Sequence, residues 1–75
     1  MKEFIERMQI ELENNSRKGN WEKFAVKENR KNIVDEISHH LNKLNIAVYE
    51  KDEELIKEYS ADIANIAMFM FNTTK

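Results

Sequence analysis

Glu58 and Asp62 stand four residues apart, and Asn65 follows three residues on. At 100° per residue these three fall on one side of a helix. Leu55 and Phe69 lie on the same line, before and after them. The polar cluster is therefore bracketed by apolar residues and does not merge into a charged surface. Upstream, Glu36, His39 or His40, and Lys43 line up in the same way. In an antiparallel pair of helices the two stripes would face each other. Carboxylates at i and i+4, opposite another carboxylate, make an oxygen-rich cage. A hard cation such as Mg²⁺ takes that geometry and keeps waters that substrate phosphates can displace. A cation held there would bridge phosphate oxygens and orient an attacking water. His39 or His40 would act as ligand, proton relay or phosphate contact, and Lys43 would neutralise a phosphate. The same residues have a plainer reading as solvated charge. Glu36 and Lys43 would then be surface residues, and Glu58 and Asp62 would pair with Lys57 or Lys51 for little energy.

Three helices are needed to position these side chains. With no Pro and one Gly, nothing breaks a long helix. The first is expected from Lys2 to Asn14, with Phe4, Ile5, Met8 and Leu12 on one apolar face. Asn14, Asn15, Ser16 and Gly19 end it. Residues 17–28 connect it to the second helix, and Trp21, Phe24 and Val26 should pack back onto the helices. The second runs from Arg30 to Tyr49, with Asn29 or Asn32 as N-cap and Asp35 and Glu36 towards its positive end. Its expected core stripe is Ile33, Ile37, Leu41, Leu44 and Val48, with Val34 and Ala47 beside it. Glu50-Lys51-Asp52 make a tight break, and Asp52 caps a third helix that runs to Asn72. Connections this short favour an antiparallel hairpin of helices two and three. From Ile63 to Phe71 only Asn65 is strongly polar. A helix apolar nearly all round is buried on more than one side. The expectation is an all-α chain that completes a four-helix-type bundle by homo-oligomerisation, as a dimer or tetramer.

Composition narrows the function classes. A chain of 75 residues buries a modest share of its surface and needs a stabilising device. Without Cys, that device is neither a disulfide nor a thiolate metal site. No apolar run is long enough to span a membrane, and the N-terminus lacks the apolar stretch of a signal peptide. A cytoplasmic protein with no membrane partner is expected. Twelve Lys and Arg against 14 Asp and Glu give a net charge of -2, with no footprint for a nucleic-acid polymer. One basic patch, around Arg17, Lys18, Lys23, Lys27, Arg30 and Lys31, is interleaved with Trp21 and Phe24. It is either a solvated loop or a local anion contact.

The stretch from Glu58 to Met68, with its Ala61-Asp62-Ile63-Ala64-Asn65 core, resembles the "ADxANxxM" end of MazG-like proteins. Gly19-Asn20-Trp21 resembles a Gly-Trp element of the smaller members, and Asp35 to His40 sits where the family has its first acidic motif. The resemblance covers nearly the whole chain and implies a single MazG-like helical domain, residues 1–75. It further implies an all-α nucleoside triphosphate pyrophosphohydrolase whose four acids, E-x-x-E then E-x-x-D, hold Mg²⁺. Carried over, Asp62 matches the last Asp and Glu36 the first Glu. The second Glu falls at His39, or at His40 if the register slips. The third falls at Tyr59, with Glu58 one residue early but still on Asp62's side.

The resulting expectation is a Mg²⁺-dependent (d)NTP pyrophosphohydrolase that releases monophosphate and pyrophosphate. Glu36, His39, Glu58 and Asp62 are its metal ligands, and His40 joins them in catalysis. Lys43, Trp21 and Asn65 contact the nucleotide, with Trp21 or Phe24 stacking on a base. The departures at His39 and Tyr59 also fit a nucleotide sensor or sponge that binds without cutting. A third reading is a helical protein-interaction module whose acids are surface decoration.

Overall fold

A computed structural model describes residues 1–16 and 21–74 of the chain. The described residues form four α-helices and no strand. They are α1 (Lys2–Ser16), α2 (Trp21–Phe24), α3 (Arg30–Tyr49) and α4 (Glu53–Asn72), with a 3₁₀ turn at Lys27–Asn29 before α3. Gly19 and the basic residues Arg17 and Lys18 lie outside the described residues.

The α3–α4 corner shows how a chain without a glycine at this point still makes a tight stop. Lys51 takes a left-handed conformation, φ 57°. Its N–H donates to the Val48 carbonyl, and the Asp52 N–H reaches back to that of Ala47. These two bonds are the Schellman arrangement, in which a left-handed residue lets the chain satisfy the last helical carbonyls. Asp52 then accepts from the Leu55 N–H at 3.1 Å, so one residue closes one helix and caps the next. Glu53 and Glu54 follow in the first turn of α4, where the helix dipole favours negative charge.

α3 and α4 pack along their lengths. Arg30, opening α3, donates to the Thr73 hydroxyl at 2.9 Å and to its carbonyl at 3.3 Å, just past the end of α4. His40 meets Asp62 midway, and Lys43 meets Tyr59 nearer the turn. α1 packs on the other flank of α4. There the Asn65 amide donates to the Met8 carbonyl at 2.8 Å, and Arg7 bridges Glu11 on its own helix and Glu54 on α4, at 2.8 and 2.7 Å. α4 is thus the middle of the arrangement, which is why it is apolar over so much of its circumference.

The observed core is narrower than periodicity predicts. Ile33 is fully buried, with Ala47, Ala61, Ile66 and Ala25. Ile37 and Leu44 are half-buried, while Leu41 is 50% exposed and Val34 and Val48 stand beside it in solvent. α4 covers only one edge of the wide apolar arc on α3. On α1, Met8 and Leu12 are half-buried, but Phe4 and Ile5 are exposed and Glu11 is buried. The helix is turned so that Arg7, Met8 and Glu11 meet α4. Trp21 and Phe24 do pack back on Phe69, whereas Val26 is exposed and Ala25 is buried in its place. Asn29 precedes α3 but makes no side-chain cap; its amide donates to the Phe24 carbonyl at 2.9 Å. Asp35 and Glu36 lie beyond the first turn of α3, which holds no acid.

Candidate functional site

A cleft of about 690 Å³ opens between α1, α3 and α4. α3 contributes Glu36, His39, His40 and Lys43, and α4 contributes Glu58, Tyr59, Asp62, Asn65 and Phe69. The two polar stripes read from the sequence therefore line one space. α1 adds Glu11, Leu12 and Asn14.

Glu58, Asp62 and Glu11 are the tightest group in it. Each offers one carboxylate oxygen, and the three oxygens lie within 4.8 Å of one another. Helical spacing explains the first two, since residues four apart share a face. Glu11 arrives from α1 because the Asn65–Met8 and Arg7–Glu54 bonds hold that helix against α4. The Arg7 Nε–H donates to Glu11 Oε2, which fixes the carboxylate from behind. Oxygens around a six-coordinate Mg²⁺ at 2.0–2.1 Å are separated by at most about 4.2 Å, and around Ca²⁺ by about 5 Å. The trio offers three hard oxygen donors close enough together that they could hold a divalent cation.

Crowding leaves its mark on Asp62. Its carboxyl is held above the usual aspartate range, first by burial and then by the neighbouring Glu11 and Glu58 charges, with His40 and Lys43 pulling the other way. Its side chain is 14% exposed. His40 stands beside it with Nε2 at 3.8 Å from Asp62 Oδ2. The other ring nitrogen, Nδ1, lies 2.9 Å from the Glu36 carbonyl. A carbonyl only accepts, so Nδ1 is the donor in that contact, and Nε2 is the ring nitrogen that faces Asp62.

The remaining expected residues take different places. Glu36 is half-exposed on the cleft wall, its Oε2 at 3.8 Å from His40 Nδ1, and it is not one of the tight trio. His39 is exposed and meets the edge of the His40 ring at 5.8 Å. Lys43 Nζ sits 5.8 Å from the centre of the Tyr59 ring, facing the cleft. Asn65 lines the cleft but is buried, and its amide nitrogen is engaged by the Met8 carbonyl. Trp21 does not line the cleft; it stacks at 5.3 Å and 14° on Phe69, which does. Sequence reasoning passed over Glu11. Its signal is an acid seven residues after Phe4 and three after Met8, where the periodicity asks for an apolar residue.

Compared with protein-family models, curated proteins and solved structures, the chain matches none.

Proposed function

We propose that the chain is a Mg²⁺-dependent nucleotide pyrophosphohydrolase of MazG-like type, cutting a (d)NTP into monophosphate and pyrophosphate. The observation that carries this is the trio of carboxylates within 4.8 Å, set in a cleft with a histidine and a lysine. The reading takes α3 and α4 as an antiparallel hairpin, supported by the Arg30–Thr73, His40–Asp62 and Lys43–Tyr59 pairs.

Asp62, Glu58 and Glu11 would hold the cation, with Glu36 and His39 beside them on the cleft wall. Mg²⁺ held there would supply charge neutralisation for the phosphates and activation of a water. His40 is the proton acceptor. Its Nδ1–H is tied to the Glu36 carbonyl, so Nε2 is the basic atom, and it faces the carboxylates. Water adds to phosphorus, its proton passes to His40 Nε2, and the P–O bond to pyrophosphate breaks. Lys43 balances phosphate charge. Phe69 and Tyr59 give the cleft aromatic surface for a base, with Trp21 bracing Phe69 from behind.

The test is a panel of NTPs and dNTPs incubated with Mg²⁺ or with chelator, with the products separated. Asp62→Ala runs alongside, checked for helicity. Monophosphate and pyrophosphate that require Mg²⁺ and vanish in the variant are expected. Intact nucleotides throughout would overturn the hydrolase. A second reading, a nucleotide sensor or sponge, rests on His39 and Tyr59 standing where the family carries acids. It predicts saturable nucleotide binding by calorimetry without turnover.

A further inference from the structure

The carboxylate that α1 brings to the cleft is held from outside it. Arg7 does not line the cleft; it lines a separate shallow groove between α1 and α4, with Phe4, Ile10 and Ile56. From there its Nε–H donates to Glu11 Oε2 at 2.8 Å, and an Nη1–H donates to Glu54 Oε1 at 2.7 Å. One guanidinium thus spans two helices, taking Glu11 on α1 and Glu54 in the first turn of α4. Exposed pairs four residues apart on a helix contribute little. This pair is largely covered: the Arg7 side chain is 23% exposed and that of Glu11 11%. Glu54 does not line the cleft either.

We propose that Arg7 is a positioning residue: braced on Glu54, it holds Glu11 where the carboxylate completes a cation site with Glu58 and Asp62. The inference rests on the cation site proposed for the cleft. α3 brings one acid to the cleft, Glu36, and it stands outside the trio. The third carboxylate therefore comes from α1. A glutamate side chain loses rotamer freedom when it takes a cation, and one already fixed in place loses less. Arginine suits the task, because its planar fork engages two carboxylates at a set angle. Its charge works the other way. A guanidinium beside the carboxylates repels an incoming cation, so its removal would tighten cation binding if charge were all it contributed. Orientation and charge predict opposite signs. α1 also has other attachments to α4. The Asn65 amide donates to the Met8 carbonyl at 2.8 Å, and Lys57 pairs with Glu3 at 3.7 Å. Loss of Arg7 thus frees the Glu11 side chain while these contacts keep the helix in place.

Calorimetric titration of the full chain with Mg²⁺, in the absence of nucleotide, tests it, with the helicity of each variant checked by circular dichroism. Arg7→Met keeps an apolar stem and removes the fork. It is expected to bind Mg²⁺ about 10-fold more weakly than wild type, the low end of what losing a partner that holds a metal ligand costs. Glu54→Ala leaves α1 untouched and should also weaken binding. Lys57→Ala removes an α1–α4 contact that does not touch Glu11, and it should not weaken binding. Unchanged or tighter binding by Arg7→Met would overturn the proposal and leave the cation site standing. Equal weakening by Lys57→Ala would overturn it too, because Arg7 would then act only by docking α1. Wild-type protein that takes up no Mg²⁺ would overturn the cation site, and this inference with it. Should Arg7→Met lose helicity, Glu54→Ala decides: unchanged Mg²⁺ affinity there refutes the brace.

Discussion

Replacing Asp62 with Asn is expected to stabilise the metal-free protein near neutral pH. The Asp62 carboxyl is raised by burial and by Glu11 and Glu58. A raised carboxyl means that the folded chain holds its proton more tightly than the unfolded chain. Its favourable contribution is complete below the ordinary aspartate value and is lost as pH rises through the folded value. Near neutrality, ionised Asp62 therefore weighs against the fold. Like charges at the outer limit of 4.8 Å repel by about 0.9 kcal/mol at the dielectric of water and about 3.5 kcal/mol at an effective value of 20. His40 and Lys43 offset part of this, and the solvent reaching the cleft favours the lower figure. A net gain of about 1 kcal/mol for Asp62→Asn corresponds to a rise in Tm of about 4–8 °C for a domain this small. The assay is thermal unfolding by far-UV circular dichroism at one protein concentration, at about pH 7 and about pH 3. The gain should fade at the lower pH, where the wild-type carboxyl is protonated in both states. Millimolar Mg²⁺ should raise the wild-type Tm and leave the variant's unchanged, because a ligand stabilises only the state that binds it. A lower Tm for Asp62→Asn near pH 7 would refute the crowding argument.

Asn65→Ala removes the α4–α1 bond to the Met8 carbonyl. It should cost about 1 kcal/mol, and hydrogen exchange should report it as faster loss of protection in α1 than in α3. Lys51→Gly relieves the left-handed strain at φ 57°. It should leave α3 and α4 intact while stabilising by up to about 1 kcal/mol, read as a higher urea midpoint at constant slope.

Much of the fold is legible along the chain because it is local. Uninterrupted 3.6-residue periodicity and an absence of Pro set the spans of α3 and α4. The same short-range physics makes Asp52 a cap, since an N-cap depends on the three residues after it. It also puts Glu58 and Asp62 on one face. Periodicity reports that a face is apolar, but not what covers it. On α3 the arc from Ile33 to Val48 reads as one stripe. Only the position of α4 divides it into buried Ile33 and Ala47 and exposed Leu41. Glu11 enters the cleft for a similar reason. Its own helix offers Met8 and Leu12 for burial, and the rotation that brings Glu11 inward comes from Asn65 and Arg7 across the α1–α4 contact. Asn65 shows the reverse case: spacing places it on the acid stripe, and packing turns its amide to a backbone carbonyl. The sequence by itself thus determined the helices and the acid pair on α4. The tertiary structure alone decided the third carboxylate and which apolar faces remain open, because these depend on how one helix is rotated against another.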